Sequence, residues 1–489
     1  MNYNLEEIFK TEGVPEFTFV RPPNYNAILL DIRNQTKPVI IEGQSGTGKT
    51  TIAKKIIEHA FGKNDFRYLS ARKSEDLKVI QEISTGHLIG KYIIDDFHRL
   101  DNITQEKIAN IIKVAAEEED ASNHPKVVII GINKVGSELI RLVHDISRRC
   151  GIHRVQLASE ESINELISKG EEKLNIKIEN HEEIYAECSG DYWLAQLLCQ
   201  SICLEDDVIG TIEKHRNIKF DAYSLRERVV EKLENAYLEP VKEFSRGRRF
   251  RSTNDPYFKL LKAVSTQESS TVDLNELSNT NEEVRGSINN IKEHRINVLL
   301  ESKPICDRYF YYNSETKNFA IEDPALFYYL KHLNWNQLRK SCGFRDSDDG
   351  FEYDFAISFA GENRNLARSI AELLGILDCT VFYDEYFESN FLGAAWRKKF
   401  PEIFAKKSRF VVCLLDSYHR DKIWPTFERE CFMPRVEDEA VIPIYLDNTA
   451  FVGIPSDIIG IDFKGKDATN EDLVTDEIIL KLEARLEKV

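Results

Sequence analysis

The chain has 489 residues, of which 42% are hydrophobic and 30% are charged, and its formal net charge is −17. This length predicts about three domains, each large enough for its own core. An acidic chain does not favour broad nonspecific nucleic-acid binding, which depends on neutralising phosphates, although a local basic patch remains compatible with the composition.

No apolar run approaches the roughly 18 residues of a membrane helix, and the N-terminus, MNYNLEEIFK, lacks the apolar core of a signal peptide. We therefore expect a soluble, cytoplasmic protein with no membrane partner. The nine cysteines are scattered without a C-x-x-C pair, which predicts free thiols rather than disulfides or a zinc site.

A stiff extended segment, Val20–Pro23, comes first and suits either a lid across a nucleotide base or ordinary connecting structure. Short apolar runs then alternate with helical patterns to about residue 160, which predicts a parallel α/β sheet. The five strand candidates are Pro38–Ile41, Phe66–Ser70, Tyr92–Asp95, Val127–Ile130 and Arg154–Leu157.

The run GQSGTGKT at residues 43–50 fits the phosphate-loop pattern G-x-x-x-x-G-K-[ST] between the first strand candidate and a helical pattern, Thr51–Phe61. In this pattern the backbone N–H groups close around phosphate oxygens, Lys49 reaches the β- and γ-phosphates, and the Thr50 hydroxyl binds Mg²⁺. The predicted ATP-binding residues of the loop are Gly43, Ser45, Gly46, Thr47, Gly48, Lys49, Thr50 and Thr51.

Polar residues follow the third and fourth strand candidates, at the sheet edge where a nucleotide binds in open α/β folds. We expect Asp95 to hold Mg²⁺ through water, Asp96 to orient or activate the attacking water, and Asn133 to position that water or contact the γ-phosphate. Arg148 and Arg149 are either candidates for neutralising transition-state charge or surface arginines, and we assign Arg149 to the nucleotide site.

The segments GQSGTGKTT, IIDD and GIN resemble the STAND branch of the AAA+ ATPases, the nucleotide switches that include NLR immune receptors. The resemblance covers roughly residues 15–335 and implies ATP or ADP bound with Mg²⁺. Hydrolytic AAA+ enzymes usually carry glutamate at the second acidic position, so the shorter Asp96 favours a slow switch. Ser189–Tyr192 resembles the family's lid motif, with Tyr192 in place of the usual proline.

We divide this part of the chain into a nucleotide-binding domain (1–160), a helical lid with a linker helix (161–255) and a winged-helix domain (256–340). The helical patterns of the lid are Glu161–Lys169, Trp193–Leu204 and Ser224–Phe244. The basic loop that follows, Ser245–Asp255, either binds a nucleic acid or an acidic partner or, in the interpretation we prefer, is a solvated interdomain linker.

Two strand candidates, Arg308–Tyr312 and Asn318–Ile321, precede a helical pattern, Pro324–Leu333, in the order that resembles the winged-helix module of this family. A winged helix can insert a helix into the major groove. The candidate recognition helix, Asn281–Ile291, begins with two glutamates and carries one basic residue, so we expect it to pack within the protein.

A second α/β pattern begins after the polar break Arg345–Gly350 and includes a helix that runs through Leu374. Its other elements are the strand candidates Tyr353–Phe359, Thr380–Tyr383 and Arg409–Leu415 and the helical pattern Ala395–Ala405. The pattern alone predicts a flavodoxin-like domain and does not give its function.

The segments YDFAISFAGENR, VFYDE, SRFVVCLLDSYHRDKIWPTFE and IPIYLDN closely resemble a bacterial TIR domain, which we assign to residues 351–489. In enzymatically active TIR domains, the glutamate four residues after this tryptophan is the catalytic residue of an NAD⁺ glycohydrolase, and Glu428 matches it. The resemblance also implies that Phe359 contacts the nicotinamide end and that Tyr418 and Trp424 shape the cleft. Asp416 stands where serine is common.

The expected fold is therefore α/β: a P-loop ATPase sheet with a helical lid and a winged-helix module, followed by a flavodoxin-like TIR domain. Our hypothesis is an antiphage defence protein in which ATP-dependent homo-oligomerisation, set off by an unknown phage-derived or nucleic-acid trigger or a partner protein, activates NAD⁺ hydrolysis. The alternatives are a non-enzymatic TIR scaffold switched by ATP and, less favoured, a DNA-binding winged-helix ATPase.

Overall fold

The computed structural model describes residues 2–62, 65–117, 123–132, 150–252, 255–345, 351–384, 402–422, 428, 430–451, 458–463 and 471–486. The chain divides into two compact units. The first comprises Met1–Ala236, Ser269–Thr271 and Ile321–Tyr329, and the second comprises Tyr237–Glu268, Val272–Ala320 and Leu330–Val489.

The first unit is built on a parallel sheet of five strands in the order β2-β3-β4-β1-β5. The strands are β1 (Val39–Gly43), β2 (Arg67–Ser70), β3 (Lys91–Asp95), β4 (Lys126–Gly131) and β5 (Gly151–Val155). Both β1 and β4 are buried along their full length, as expected for central strands covered by helices on both faces. All five strand candidates are confirmed, and the last lies a few residues earlier than predicted.

Helices in the first part of this unit are α1 (Leu5–Ile8), α2 (Tyr25–Arg33), α3 (Lys49–Ala60), α4 (Ser74–Ile83) and α5 (Asn102–Glu117). The α3 helix follows the phosphate loop directly and buries its apolar face, including Ile52 and Ile56, against β1 and α2. Because α3 begins at Lys49, the helix N-terminus faces the loop, as the motif predicts.

The predicted lid helices are also present in this unit, with bounds close to those predicted. The elements here are α6 (Glu160–Leu174), β6 (Ile176–Ile178), α7 (His181–Cys188), α8 (Tyr192–Glu205) and β7 (Arg216–Ile218). The long helix α9 (Ala222–Arg246) follows, and it belongs to the first unit up to Ala236 and to the second unit from Tyr237. The α8 helix begins at an N-cap, Asp191, whose carboxylate accepts a hydrogen bond from the Leu194 amide.

The central region, residues 256–345, is mainly helical and carries a three-stranded sheet in the order β8-β10-β9. Its elements are α10 (Pro256–Ser265), β8 (Thr271–Asp273), α11 (Leu274–Thr280), α12 (Glu282–Ile291), α13 (Arg295–Ser302), α14 (Pro304–Asp307), β9 (Phe310–Asn313), β10 (Asn318–Ile321), α15 (Pro324–His332) and α16 (Trp335–Cys342). The predicted strand pair and the helix after it are confirmed.

The C-terminal region, residues 351–486, contains a second parallel sheet in the order β12-β11-β13-β14-β15. Its strands are β11 (Tyr353–Ser358), β12 (Val381–Phe382), β13 (Ser408–Leu415), β14 (Val441–Tyr445) and β15 (Ile461–Asp462), and its helices are α17 (Arg364–Ile376), α18 (Ser417–Asp421) and α19 (Glu471–Leu486). This 2-1-3-4-5 order is flavodoxin-like, as predicted. Most of the predicted helix Ala395–Ala405 lies outside the described residues.

The arginine segment, residues 245–255, is not the solvated linker that the sequence favoured. The Arg248 guanidinium pairs with Asp378 at 3.3 Å and also donates to the Ile376 carbonyl, while Arg251 donates to the Leu377 carbonyl at 2.7 Å. Asp378 is 8% exposed, so the second unit neutralises a buried charge with this segment. The basic residues therefore hold the C-terminal region, because its loop after α17 presents an acidic residue and backbone carbonyls to them.

The α12 helix packs inside the second unit, in agreement with its predicted role. Seven of its ten residues are buried, and Asn290 accepts a hydrogen bond from the backbone N–H of Val381 at 2.8 Å. Since β12 is an edge strand of the C-terminal sheet, this side chain satisfies a donor that the sheet leaves unpaired. The backbone of α12 passes close to the Glu352 side chain at Gly286, where a Cβ would lie 1.8 Å from the Glu352 carboxylate.

The nine cysteines are free, and all except Cys431 are buried. Within the part of the chain that the structure describes, no helix has the length and apolar character needed to cross a membrane.

Candidate functional site

The phosphate loop closes between β1 and α3, in a geometry that two glycines make possible. Gly46 has φ +84°, and a Cβ there would lie 1.7 Å from the Asp191 carboxylate. At Gly43 a Cβ would lie 2.4 Å from the Val155 carbonyl of β5. The loop therefore passes so close to its neighbours that larger residues would displace it.

Lys49 is turned into the loop at the start of α3. Its Nζ donates to the backbone carbonyls of Gly43 at 2.9 Å and Gln44 at 2.6 Å. Burial lowers the pKa of Lys49 to about 8, against the opposing effect of Asp95 and other nearby carboxylates. An anion in the loop would favour the charged ammonium, as the predicted phosphate contact requires.

The predicted Mg²⁺ ligands lie together at the end of β3. The Thr50 hydroxyl donates to Oδ2 of Asp95 at 2.6 Å, and the Tyr68 hydroxyl donates to the same oxygen at 2.8 Å. A hydroxyl and a carboxylate oxygen are ligands that suit Mg²⁺. Asp96 has its own partners, since Ser70 donates to it at 2.9 Å and Arg72 pairs with it at 3.0 Å.

A cavity of about 320 Å³ lies beside the loop. Its lining includes polar groups, among them the loop residues, Asp95 and Asp96, and it also includes apolar side chains. The apolar side chains include Phe19, Val20, Leu166, Tyr192, Trp193 and Pro324. A nucleotide matches this lining, because the phosphates would meet Lys49 and backbone N–H groups while the base would meet the apolar side chains.

The N-terminal segment that contributes Phe19 is held by two lid helices. Lys169 of α6 donates to the Phe19 carbonyl at 2.7 Å, and Gln196 of α8 donates to the Thr18 hydroxyl at 2.6 Å. The lid-like side of the cavity is thus formed by Phe19 and Val20, while Arg21 stacks on Tyr25.

A buried glutamate that the sequence did not indicate lies beside the phosphate loop. Glu322 accepts hydrogen bonds from His98 at 2.5 Å and Arg99 at 2.9 Å, pairs with Arg72 at 3.0 Å, and its backbone carbonyl accepts from Ser45. Burial alone would raise the pKa of Glu322, but its hydrogen bond to His98 and the three neighbouring cations bring the pKa down to about 2. Glu322 is a fixed negative charge that joins this segment to the loop.

Asp191 is a second carboxylate against the loop. It is 8% exposed and contacts Gly46 closely, and burial raises its pKa to about 7 although backbone donors at the start of α8 act in the opposite direction. Of the predicted lid motif, Tyr192 lines the cavity, while Asp191 lies against Gly46 of the phosphate loop.

In the C-terminal region, the predicted catalytic residue lies at the end of a central strand. Ser358 is the last residue of β11, and its hydroxyl donates to Oε2 of Glu428 at 2.6 Å. The same hydroxyl oxygen lies 3.1 Å from Nε2 of His419. Ser358 and His419 are both fully buried, whereas Glu428 is partly exposed.

Burial raises the pKa of Glu428 to about 8, and the nearby charge of Asp384 raises it further against the hydrogen bond from Ser358. Asp384 itself forms a two-point pair with Arg364 at 3.1 and 3.2 Å. The site thus holds a carboxyl group that can exchange a proton near neutral pH, the property expected of an acid-base residue.

Of the other predicted NAD-binding residues, the structure describes Phe359 and Tyr418. Phe359 follows Ser358 directly; its ring lies 5.6 Å from that of Tyr383 and is covered by the Arg364 guanidinium. Tyr418 is 53% exposed, while its neighbour His419 is the residue that reaches Ser358. Trp424 lies outside the described residues, as do Asn133, Arg148 and Arg149 of the nucleotide site.

Asp416 explains why His419 is directed inward. It caps α18 by accepting the His419 amide at 2.8 Å and receives the Asn363 side chain at 2.8 Å. Aspartate is a strong N-cap residue, so the substitution for the serine common at this position preserves the start of the helix.

Sequence reasoning missed Ser358, His419 and Glu322. The first could have been found, because a polar residue that ends a buried parallel strand lies at the edge where ligands bind. The other two could not, because His419 depends on the turn at Asp416 and Glu322 reaches residues more than 200 positions away.

No family model matches the chain. One curated relative, 3' cyclic ADP-D-ribose synthase AaTIR of Aquimarina amphilecti, is 31% identical over 141 residues, which are 28% of this chain and 41% of that protein. Among solved structures, a Walker-type ATPase of Pyrococcus abyssi is 13% identical, covers 66% of this chain and 99% of its own, and has a TM-score of 0.40. The ORC2 protein of Aeropyrum pernix is 11% identical, with 69% and 96% covered and a TM-score of 0.35.

The match spans less than half of the relative's length. Together with the 2-1-3-4-5 sheet, it confirms the resemblance of the C-terminal region to a TIR domain. The five-stranded parallel sheet, with its phosphate loop between β1 and α3, confirms the P-loop ATPase fold of the first unit. The chain thus combines a P-loop ATPase fold with a flavodoxin-like C-terminal sheet, and 141 of its residues are similar to the curated relative.

Proposed function

We propose that this protein cleaves NAD⁺ in its TIR-type region and that a nucleotide bound in the phosphate-loop unit controls the cleavage. The observation that carries the proposal is the Glu428 carboxyl group, held by Ser358 at the end of the central strand β11 in a TIR-type sheet. A fixed carboxyl group at this edge of a parallel sheet suits a ligand site.

Bond cleavage between nicotinamide and ribose leaves a ribose with oxocarbenium character. A carboxylate beside that carbon stabilises the positive charge and can hold the ribose hydroxyls, as in glycoside cleavage. Nicotinamide leaves from a ring that is already cationic and needs little acid assistance, so one carboxylate suffices. We assign this role to Glu428, with Phe359 against the nicotinamide and Tyr418 and Trp424 shaping the cleft.

The relative's name describes a cyclic ADP-ribose product, so the acceptor in this chain is either water or a hydroxyl group of the substrate. In both cases the acceptor loses a proton as its oxygen bonds to the ribose carbon, and Glu428 can accept that proton. Chromatography of the products distinguishes ADP-ribose from its cyclic form.

We propose that the phosphate-loop unit binds ATP or ADP with Mg²⁺. Lys49 and the loop amides would hold the phosphates, and Thr50 and Asp95 would hold the metal, which supplies charge neutralisation when bound. Asp96 is already engaged by Ser70 and Arg72. Together with its short side chain, this engagement supports a slow switch over a fast ATPase.

Packing within the second unit supports control of the TIR-type region. Arg248, Arg251 and Asn290 contact the loop after α17 and the edge strand β12. We propose that this is a resting arrangement, that a phage-derived trigger, a nucleic acid or a partner protein releases it, and that the released chains form a homo-oligomer in antiphage defence. The trigger's identity stays open.

The DNA-binding alternative receives less support. The α12 helix, which would enter a groove, buries seven of its ten residues in the protein, and the arginine segment pairs with the C-terminal region. A binding assay with duplex DNA over a range of salt concentrations tests it, since phosphate contacts weaken as salt increases.

The proposal is tested by incubating the purified full-length chain with NAD⁺ and measuring nicotinamide release in wild type, Glu428→Gln and Glu430→Gln. Glu430 is an exposed neighbour and serves as the matched control. We expect Glu428→Gln to lose at least about 100-fold in rate while Glu430→Gln stays near wild type.

Equal rates in Glu428→Gln and wild type would overturn the assignment of the chemistry. If no form of the protein cleaves NAD⁺, but Glu428→Gln still signals in infected cells, the non-enzymatic scaffold replaces the enzyme.

A further inference from the structure

A continuous chain of hydrogen-bonding groups leads from Glu428 into the core. The Ser358 hydroxyl lies between Oε2 of Glu428 at 2.6 Å and Nε2 of His419 at 3.1 Å. His419 is 0% exposed, and its ring packs edge-on against Phe451 at 5.9 Å. The imidazole is therefore shielded from bulk water, and the serine hydroxyl joins it to the candidate catalytic carboxyl.

A serine hydroxyl has one hydrogen and accepts through its lone pairs, so this geometry permits two proton arrangements. In the first, a neutral Glu428 donates to Ser358, and Ser358 donates to an unprotonated Nε2 of His419. In the second, a protonated Nε2 donates to Ser358, and Ser358 donates to the Glu428 carboxylate. The two differ only by the position of protons along the same contacts.

We propose that Ser358 and His419 form a proton path that converts Glu428 into the carboxylate used for NAD⁺ cleavage. The Oε2–H bond of Glu428 breaks as its proton bonds to Oγ of Ser358, and the original Oγ–H bond breaks as that proton bonds to Nε2 of His419. A neutral carboxyl and a neutral imidazole become a carboxylate and an imidazolium. This inference rests on the proposed function of Glu428.

The proton path would supply the ionised form of Glu428 that the reaction needs. A carboxylate, and not a carboxylic acid, stabilises the cationic ribose, yet the raised pKa near 8 leaves Glu428 mostly protonated at neutral pH. Transfer to His419 produces the charged form without releasing a proton to solvent. When the acceptor oxygen later bonds to ribose, its proton bonds to Glu428. Glu428 then releases the net proton of the reaction to solvent, and the proton on Nε2 of His419 returns through Ser358 to Glu428, which restores the neutral pair. Ser358 and His419 are thus positioning residues that act through Glu428.

The surrounding charges are consistent with a carboxyl that needs assistance to ionise. Asp384 faces Glu428 and disfavours its charge, and burial together with the charges of Glu428 and Glu430 raises the pKa of the Cys431 thiol. On the other side of the path, Asp416 accepts the backbone amide of His419 at 2.8 Å and so fixes the turn that carries the imidazole.

The test is the pH dependence of kcat/KM for NAD⁺ cleavage by the full-length chain carrying His419→Gln or Ser358→Ala. His87→Gln, an exposed histidine in the first unit, is the control. The hydrogen bond from Ser358 lowers the pKa of Glu428, so a variant without the path must ionise Glu428 to solvent with a pKa higher than in wild type. Below the pKa, the ionised fraction falls about tenfold for each unit by which the pKa rises. We expect a loss of about tenfold at pH 7 that becomes smaller as pH rises to 9 and above.

A merely structural role for His419 would lower the rate equally at both pH values, and that result would overturn the proposal. An unchanged rate at pH 7 in both variants would overturn it as well. Because a buried alanine can disturb folding, Ser358→Ala counts only with a wild-type circular dichroism spectrum, and His419→Gln, which retains a polar side chain, is the second variant.

A second measurement does not depend on NAD⁺ cleavage. Infrared difference spectra against Glu428→Gln report the protonated Glu428 carboxyl in the full-length chain as pH increases. With the path intact, the protonated band should disappear near pH 8, and in His419→Gln it should persist to higher pH. Identical titrations in both proteins would refute the path. If wild type cleaves no NAD⁺ but the titrations differ, the proposed function fails while the proton path stands.

Discussion

Glu322 in the first unit is buried and Glu428 in the second is partly buried, yet their pKa values are shifted in opposite directions. Burial raises the pKa of each, but three cations surround Glu322 and bring its pKa down to about 2. Glu428 has a serine hydroxyl as its donor and a like charge in Asp384, and its pKa rises to about 8. The neighbours of a buried carboxyl thus decide whether it is a fixed charge or a group that exchanges protons.

This difference matches the two roles we propose. A fixed charge suits a structural link beside the phosphate loop, where Glu322 contacts Arg72, His98 and Arg99. A carboxyl poised near neutral pH suits bond cleavage, because it can be charged in one step and protonated in the next.

The largest expected effect comes from Glu322→Gln. Removing the charge leaves Arg72, Arg99 and His98 clustered without their anion, and breaking buried pairs of this kind costs about 3 to 5 kcal/mol. We expect calorimetry of the full-length chain to show a clear loss of stability, with Glu213→Ala, an exposed glutamate of the same unit, unchanged. Equal stability in Glu322→Gln and wild type would show that the cluster does not hold this unit together.

The loss of stability in Glu322→Gln should depend on pH. The pKa of Glu322 falls from 4.5 to about 2 on folding, so its contribution is present above about pH 4.5 and is lost as pH falls towards 2. The difference in unfolding temperature between wild type and Glu322→Gln should therefore shrink across this window. A difference that stays constant down to pH 2 would contradict the assignment.

Glu428→Gln should have the opposite effect on stability. Its pKa rises from 4.5 to about 8 on folding, so the folded state favours the proton and loses stability as pH rises from about 4.5 through 8. Replacing it with neutral glutamine should stabilise the second unit at pH 9, by on the order of 2 kcal/mol, and change little at pH 5. Thermal unfolding at the two pH values measures this, and a variant less stable than wild type at pH 9 would contradict it.

A smaller effect is expected from the arginine segment, where neighbouring residues provide their own control. Arg248 pairs with the buried Asp378, whereas Arg249 pairs with Glu483 while remaining largely exposed. We expect Arg248→Ala to destabilise the second unit by about 1 to 2 kcal/mol and Arg249→Ala by less than about 0.5 kcal/mol. Urea titrations separate the two, and equal effects would show that Asp378 does not depend on Arg248.

Much of this arrangement could be predicted from local sequence. The loop from Gly43 to Thr50 carries its whole pattern in eight residues, and Asp95 ends an apolar strand, so the contact between Thr50 and Asp95 followed from general rules of parallel sheets. The sheet of the C-terminal region followed from its alternating pattern, whereas Glu428 followed only from the resemblance to TIR domains.

The remaining features depend on distant parts of the chain. From the sequence alone, the run of arginines resembles a solvated linker. Its partner, Asp378, lies some 130 residues later in the chain and is identified only by the tertiary contact. Glu322 likewise looks like an ordinary residue before a helix, because nothing near it in sequence predicts Arg72 or His98 as partners. The partners that determine charge come from tertiary contacts, which local periodicity does not encode.

The most direct test of the proposed control is nicotinamide release from NAD⁺ by the full-length chain over a range of Mg-ATP and Mg-ADP concentrations. Wild type is compared with Lys49→Ala and with Lys55→Ala, a control on the same helix. We predict that cleavage by wild type and by Lys55→Ala changes with the nucleotide and that Lys49→Ala does not respond. Cleavage that is equal in all three proteins and independent of nucleotide would contradict control by the phosphate loop.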